Sequence, residues 1–227
     1  MESKVSTNEI TKLNENKMAI SRQIRKAVIG NVGYGFYTKT PNLFHIENDE
    51  LMERINALLD SFPVKPNRLV FSSISLNFCI NQLISSTTYL VEVEKEYIQP
   101  VFELLKESFD NVVLKNPSEK EKIDYWKPNA IYVNELFKRS PTNKDGSIKI
   151  EKLIVDLLFD KQIYSLFSGK DTHQAIDVLF SKYTINYKTL FSYASRKNKK
   201  KELLNIIGNY LPQEIREITQ IDKQKEL

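Results

Sequence analysis

The chain has 227 residues, 41% hydrophobic and 27% charged, with one cysteine, Cys79, two histidines, His45 and His173, and a formal net charge of +4. That length supports a buried core, and the single cysteine excludes an intramolecular disulfide framework while two histidines give little basis for a His-built zinc site. No stretch of roughly 18 uncharged apolar residues suggests a transmembrane helix, and the opening residues lack the apolar segment of a secretory signal, so a cytoplasmic protein is expected.

Charge is concentrated at the start. Residues 1–46 carry Lys4, Lys12, Lys17, Arg22, Arg25, Lys26 and Lys39 against Glu2, Glu9 and Glu15, which matches the whole excess of the chain. A one-ended excess suggests an anionic partner at that end. Residues 5–13 read as a short helix with Ser6 or Thr7 as its cap and Ile10 and Leu13 as an apolar pair. Residues 17–29 read as a second helix. Ile20, Ile24, Ala27 and Val28 fall on one stripe, while Arg22, Arg25 and Lys26 lie opposite with Ser21 at the margin. Gly30 is expected to end it, with Asn31-Val-Gly as a turn. Tyr34 to Lys39 alternates like a strand, closed by Pro41-Asn42, and residues 43–46 are its expected partner.

Residues 49–61 predict a helix capped by Asp49, with Leu51, Ile55, Leu58 and Leu59 as its stripe. Strands are expected at 68–73, 86–94, 111–115 and 129–134, a short helix near 74–83, and a helix at 96–108. Beyond the loop from Pro141 to Gly146 the pattern is helical, at 150–167, 172–182, 187–196 and 199–210, followed by a polar, frayed tail after Pro212. The fold class is therefore α+β. An abbreviated N-terminal winged helix-turn-helix (1–47) precedes a 48–227 domain that is mixed α/β at its centre and helical from about residue 150.

The first 47 residues carry the clearest functional pattern. A recognition helix needs an apolar back to hold it to its own domain and a basic front free to enter the major groove. In the 17–29 helix, Arg22, Arg25 and Lys26 are candidate contacts to phosphates or guanine edges, with Ser21 and Gln23 placed to read bases or phosphates. The following hairpin would supply Tyr34, Tyr37 and Lys39 as wing contacts. There is room for two helices before the wing, where a complete winged helix has three. A second basic run, Arg196, Lys197, Lys199, Lys200 and Lys201, joins two helices and reads either as a phosphate-binding patch or as a solvated junction.

Catalytic patterns fit less well. Glu92 and Glu94 share one face of a strand, but Lys95 points away, so the acidic-residue-and-lysine spacing of metal-dependent nucleases is missing. Ser168-Gly169-Lys170-Asp171 lacks the upstream glycine of a phosphate loop. Asp156 and Asp160 lie on one helical face and read as a solvated edge. Cys79 reads as a buried small hydrophobe, and His45 as structural. No cofactor, metal or membrane partner is expected, and no enzymatic activity.

From about residue 20 to 201 the chain resembles the AbiEi-like antitoxin family of type IV abortive-infection toxin–antitoxin systems. The resemblance runs through Val91-Glu-Val-Glu-Lys95, Pro100-Val-Phe-x-Leu-Leu-Lys, Asn111-Val-Val-Leu, Arg139-Ser-Pro-Thr142 and Ile150-Glu-Lys-Leu-Ile-Val-Asp-Leu157. It continues through Tyr183-x-Ile-Asn186 and Tyr193-Ala-x-Arg196. The order and spacing of these stretches carry it; none is a catalytic signature. It implies a winged-helix DNA-binding domain and a C-terminal antitoxin domain. It further implies repression of the protein's own promoter, commonly at inverted repeats, and neutralisation of a nucleotidyltransferase-like toxin, typically without a stable complex. By position Ser21, Arg22, Arg25 and Lys26 correspond to the recognition-helix face, and Tyr34, Tyr37 and Lys39 to the wing.

Overall fold

The computed structural model describes residues 10–13, 17–26, 29–80, 84, 87–125, 127–160 and 169–220. The fold is α+β with two separate sheets. It divides into two compact units, one made of residues 1–44 together with 150–227, the other of residues 45–149. Among the described residues, no helix is long and apolar enough to cross a membrane.

The first unit begins with β1 (Ile10–Lys12), α1 (Lys17–Arg25), β2 (Gly30–Gly33) and β3 (Phe36–Thr38). The strands form an antiparallel sheet with β3 in the middle. Alternation sorts its faces. Phe36 and Thr38 are buried, while Tyr37 stands beside the exposed Thr11 and Asn31 on the other side. The hairpin turn runs through three successive left-handed residues, Gly33 (φ 97), Tyr34 (φ 53) and Gly35 (φ 85). Asn31 Oδ1 accepts from Gly33 N at 2.9 Å and shapes the bulge that precedes the turn.

The 45–149 unit contains α2 (Glu50–Asp60), β4 (Arg68–Ser72), β5 (Thr88–Val93), α3 (Ile98–Ser108), β6 (Val113–Lys115), α4 (Glu119–Asp124) and β7 (Ala130–Glu135). Its sheet has the order β4-β5-β7-β6; β4 is antiparallel to β5, and β5, β7 and β6 are parallel. One face, Val70, Tyr89, Val91, Val93, Ile131 and Val133, packs on Met52, Ile55 and Leu59 of α2 and on Ile98, Val101 and Leu105 of α3. Each such side chain contributes about 1.5–3 kcal/mol on burial. Asp49 does two jobs here. One carboxylate oxygen caps α2 by accepting from Met52 N at 2.9 Å, and the other accepts from the Tyr89 hydroxyl at 3.0 Å. Burial, with the Asp49 charge and hydrogen bond beside it, pushes the Tyr89 pKa up to about 12, so the hydroxyl stays a donor at neutral pH.

The chain then returns to the first unit with α5 (Ile150–Phe159), α6 (Gly169–Lys182), α7 (Tyr187–Arg196), α8 (Lys200–Ile207) and α9 (Gln213–Thr219). Helix α7 packs against α5, α8 and β2. A Schellman turn closes α7. Asn198 is left-handed (φ 58), and the amides of Asn198 and Lys199 reach back to Ser195 O and Ala194 O.

Several sequence expectations change. Residues 10–12, expected in a helix, are a strand, because β3 offers them hydrogen-bonding partners that local propensity does not register; residues 5–9 lie outside the described residues. Helix α1 stops at Arg25, with Lys26 bonded back to Arg22 O, and Gly30 opens a strand rather than capping a helix. The hairpin folds within residues 30–38, so 43–46 is not a strand: Asn42 is bonded instead to Lys182 and Thr184, and Phe44 meets the Tyr183 ring edge-on. Helix α4, which opens on a Ser118–Glu121 capping box, was not expected. The tail after Pro212 is helical through Thr219, anchored by fully buried Ile215. The expected 48–227 domain divides between residues 149 and 150: residues 150–227 group with residues 1–44, and α7 packs on β2.

Asp49→Ala is expected to lower stability by about 1–2 kcal/mol, since it removes a cap and strands the Tyr89 hydroxyl. The midpoint of urea unfolding, with an unchanged m-value, checks it.

Candidate nucleic-acid interface

Helix α1 bridges the two outer strands of the three-stranded sheet, leaving β1 and entering β2. Its buried residue is Ile20, with Ile24 half-buried; Ala27 and Val28, the rest of the expected stripe, lie outside the described residues. Lys17, Ser21, Arg22 and Lys26 are exposed and Gln23 is half-buried, so the expected basic front faces solvent; the Arg25 side chain lies outside the described residues. In the hairpin, Tyr34 and Tyr37 are half-buried and Lys39 is exposed. Lys12 stands over the Phe36 ring at 5.3 Å and covers the inner face of the sheet. The described site residues thus fall on one short element, the strand, helix and hairpin of residues 10–39. Tyr34 holds a left-handed conformation (φ 53) that a non-glycine residue adopts at a cost on the order of 1 kcal/mol.

The hairpin does not stand alone. A Cβ added at Gly33 would lie 2.7 Å from Lys188 N and 3.1 Å from Asn186 Oδ1, so β2 touches the first turn of α7 directly. At the other end of β2, a Cβ at Gly30 would lie 2.9 Å from Thr184 Cγ2 and 2.8 Å from Pro41 Cβ. Asn42 ties the exit of the hairpin to the same segment: Thr184 N donates to Asn42 O at 2.8 Å, Asn42 N donates to Thr184 Oγ1 at 3.0 Å, and Asn42 Nδ2 donates to Lys182 O at 2.6 Å.

A buried charge cluster fixes α7 in turn. Residues 150–157 of α5 are buried on all sides, including Glu151, Lys152 and Asp156. Buried charges need partners. Asp156 has them: Lys152 Nζ at 2.5 Å from Oδ2, Lys197 Nζ at 2.6 Å from Oδ1, and the Tyr193 hydroxyl donating to Oδ1 at 3.0 Å. Lys197 also reaches Asp160 Oδ2 at 3.0 Å. Burial alone would lower the Lys197 pKa; Asp156, Tyr193 and Asp160 outweigh it and the net shift is upward, so the ammonium persists. Lys152, Lys197 and Arg196 all approach the Tyr193 ring, at 5.8, 5.3 and 5.7 Å. Glu151 Oε1 accepts from Asn186 N at 2.9 Å, while Asn186 Oδ1 caps α7 through Thr189 N at 3.0 Å.

Asp156 is therefore no solvated edge; it is fully buried. The second basic run also divides. Lys197 turns inward, Lys199 pairs with Glu202 at 2.7 Å, and Arg196 donates to Ser192 Oγ at 2.7 Å, which leaves Lys200 and Lys201 exposed as the outward cations of that stretch.

In the 45–149 unit, Glu92 is buried on β5 beside Asn134 of β7. Glu94 accepts from the Asn67 side chain at 2.6 Å. His45 is exposed on a segment without strand structure, and Cys79 is buried as expected; Trp126 lies outside the described residues. Among the described residues, no group of three or more His, Cys, Asp or Glu is placed to hold a metal ion. A polar cavity of about 640 Å³ beside Arg68 is lined by Asn56, Asp60, Lys65, Asn143 and Asp145 among others. Arg68 is already engaged there, to Asp60 at 3.1 Å and to Asn56 Oδ1 at 2.9 Å.

Residues 16–213 match the model of DUF6577, described as a family of unknown function, and the chain belongs to that family. No curated protein matches it. The matched span runs from the start of α1 to the start of α9, so it takes in the hairpin, its α7 support and the whole four-stranded sheet.

Lys182 and Lys188, which flank the hairpin, were missed from sequence because their nearness to it depends on contacts across about 150 residues. The run Ile150-Glu-Lys-Leu-Ile-Val-Asp-Leu157 did hold a readable signal, three charges inside an otherwise apolar helix. Asp156→Ala is expected to cost about 3–5 kcal/mol, because it removes the carboxylate that compensates buried Lys152 and leaves Lys197 with Asp160. Tyr193→Phe is expected to cost about 1 kcal/mol. Chemical denaturation of the two variants measures both.

Proposed function

We propose that the protein is a DNA-binding transcriptional repressor and the antitoxin of a type IV abortive-infection system, autoregulating its operon in the cytoplasm and counteracting a nucleotidyltransferase-like toxin. The observation that carries the DNA-binding half is the exposure of Lys17, Arg22 and Lys26 on a helix that joins the outer strands of a hairpin-bearing sheet. In this reading residues 10–39 are the strand, recognition helix and wing of a winged helix. Helix α1 enters the major groove, while Tyr34, Tyr37 and Lys39 meet the backbone. A strained Tyr34 at the wing turn fits a residue kept for contact rather than for stability.

The antitoxin half rests on the resemblance of the stretches between residues 91 and 196. The buried roles of Glu151, Lys152 and Asp156 suit a scaffold, which agrees with the absence of a catalytic signature from those stretches. A second reading, a protein-interaction module without DNA binding, is favoured by the exposed apolar pair Ile123 and Tyr125 at the end of α4.

The Arg22→Glu, Lys26→Glu double variant is expected to lose promoter binding by at least tenfold in an electrophoretic shift assay and to flatten its salt dependence. Unchanged binding and salt slope would remove the DNA-binding reading, and co-purification with the neighbouring gene product would then select the second. Tyr34→Gly is expected to fold as stably as the parent, or up to about 1 kcal/mol more so, and to bind DNA less tightly. For the antitoxin half, co-expression should restore growth of cells expressing an adjacent nucleotidyltransferase-like gene; continued arrest would refute it.

A further inference from the structure

We infer that the nucleic-acid surface is composite: Lys182 at the end of α6 and Lys188 in the first turn of α7 contact duplex phosphates on either side of the N-terminal hairpin. This rests on the DNA-binding reading above and extends it to a part of the chain that lies about 150 residues away in sequence.

Three observations point to it. The first is position. The segment from Thr184 to Lys188 runs along β2, touching Gly30 at one end and Gly33 at the other. Lys188 N and Cβ lie 2.7 and 3.0 Å from where a Gly33 Cβ would stand, beside the Tyr34 turn. Lys182 lies at the opposite end, its carbonyl held by Asn42 Nδ2 at 2.6 Å, three residues beyond the exposed Lys39. Strand β2 is four residues long, so the two lysines flank a stretch of about 10 Å, on the scale of the ~12 Å width of the major groove.

The second is charge. Both lysines are exposed, and neither forms an ion pair among the described residues. The carboxylate that reaches this segment, Glu151, is buried and bonded to Asn186 N. Among the described residues it forms no ion pair with either lysine.

The third is that Lys188 sits where helix stability would prefer an anion. It is the second residue of α7, after the Asn186 cap. A cation there opposes the helix dipole. The neighbouring hairpin and an anionic ligand give it a use that the helix itself does not.

The dipole also makes the test clean. Lys188→Glu adds a favourable charge to the first turn of α7, so the variant should fold with an unchanged or higher Tm while losing a phosphate contact. Binding of a labelled random-sequence DNA duplex by the full chain is measured by fluorescence anisotropy over a salt series, for Lys188→Glu, Lys182→Glu, the charge-neutral Lys188→Gln and Arg22→Glu. Each single lysine variant should weaken binding several-fold at low salt and lower the slope of log K against log salt by about 0.9, the release expected for one phosphate. If Arg22→Glu weakens binding while the lysine variants match the parent in affinity and slope, the composite surface is overturned and the DNA-binding reading stands. If the parent chain does not bind duplex at all, both are overturned.

Discussion

The first unit depends on one buried carboxylate. Asp156 is out of contact with water, and an isolated charge in that environment would neutralise or unfold the helix around it. Lys152 from its own helix, and Lys197 and Tyr193 from α7, meet it instead. Because two of these partners come from α7, the pair α5–α7 has one favoured register. Apolar packing along α5 would tolerate sliding; a charge that must find both partners does not.

That register is passed outward. Glu151 holds the amide of Asn186, Asn186 caps α7, and the first turn of α7 carries the hairpin through Gly33. Gly33 is needed twice over: its φ of 97 suits glycine, and a side chain would strike the Lys188 backbone. The hairpin that follows α1 therefore stands on a frame set by a buried charge cluster. Under the proposed DNA-binding reading such a frame would help, because contacts fixed in advance need less ordering on binding.

Much of this was legible in the sequence where local rules dominate. The Asp49 cap and the β-branched strands 68–72 and 88–93 follow from period and capping alone, as do Ile55 and Leu59 of α2, though the buried face there takes in Met52 while Leu51 and Leu58 are half-buried. Legibility failed where partners are remote. Residues 10–12 look helical until β3 is in place beside them. Gly30 looks like a helix stop, yet its neighbours Thr184 and Pro41 explain it better than any cap. Asp156 and Asp160 share a helical face, and periodicity cannot say whether that face meets water or Lys197. For the candidate site the basic front of α1 could be read directly. The inward turn of Lys197 and the approach of Lys188 to the hairpin could not, since both depend on where α7 lies.

The bonds between Asn42 and Thr184 span 142 residues, and the whole 45–149 unit is threaded between the two halves they join. On a growing chain the first 44 residues are made long before residues 182–188 exist. Strand β2 can pair with β3 in that interval, but the face that Thr184 to Lys188 will cover stays open. Its glycines, chosen for close approach, favour the unfolded chain until the partner arrives. Contacts of such separation also slow folding. The basic segment of residues 10–39 is thus made before the residues that brace it, so a chain cut ahead of residue 182 carries the basic sequence without that brace.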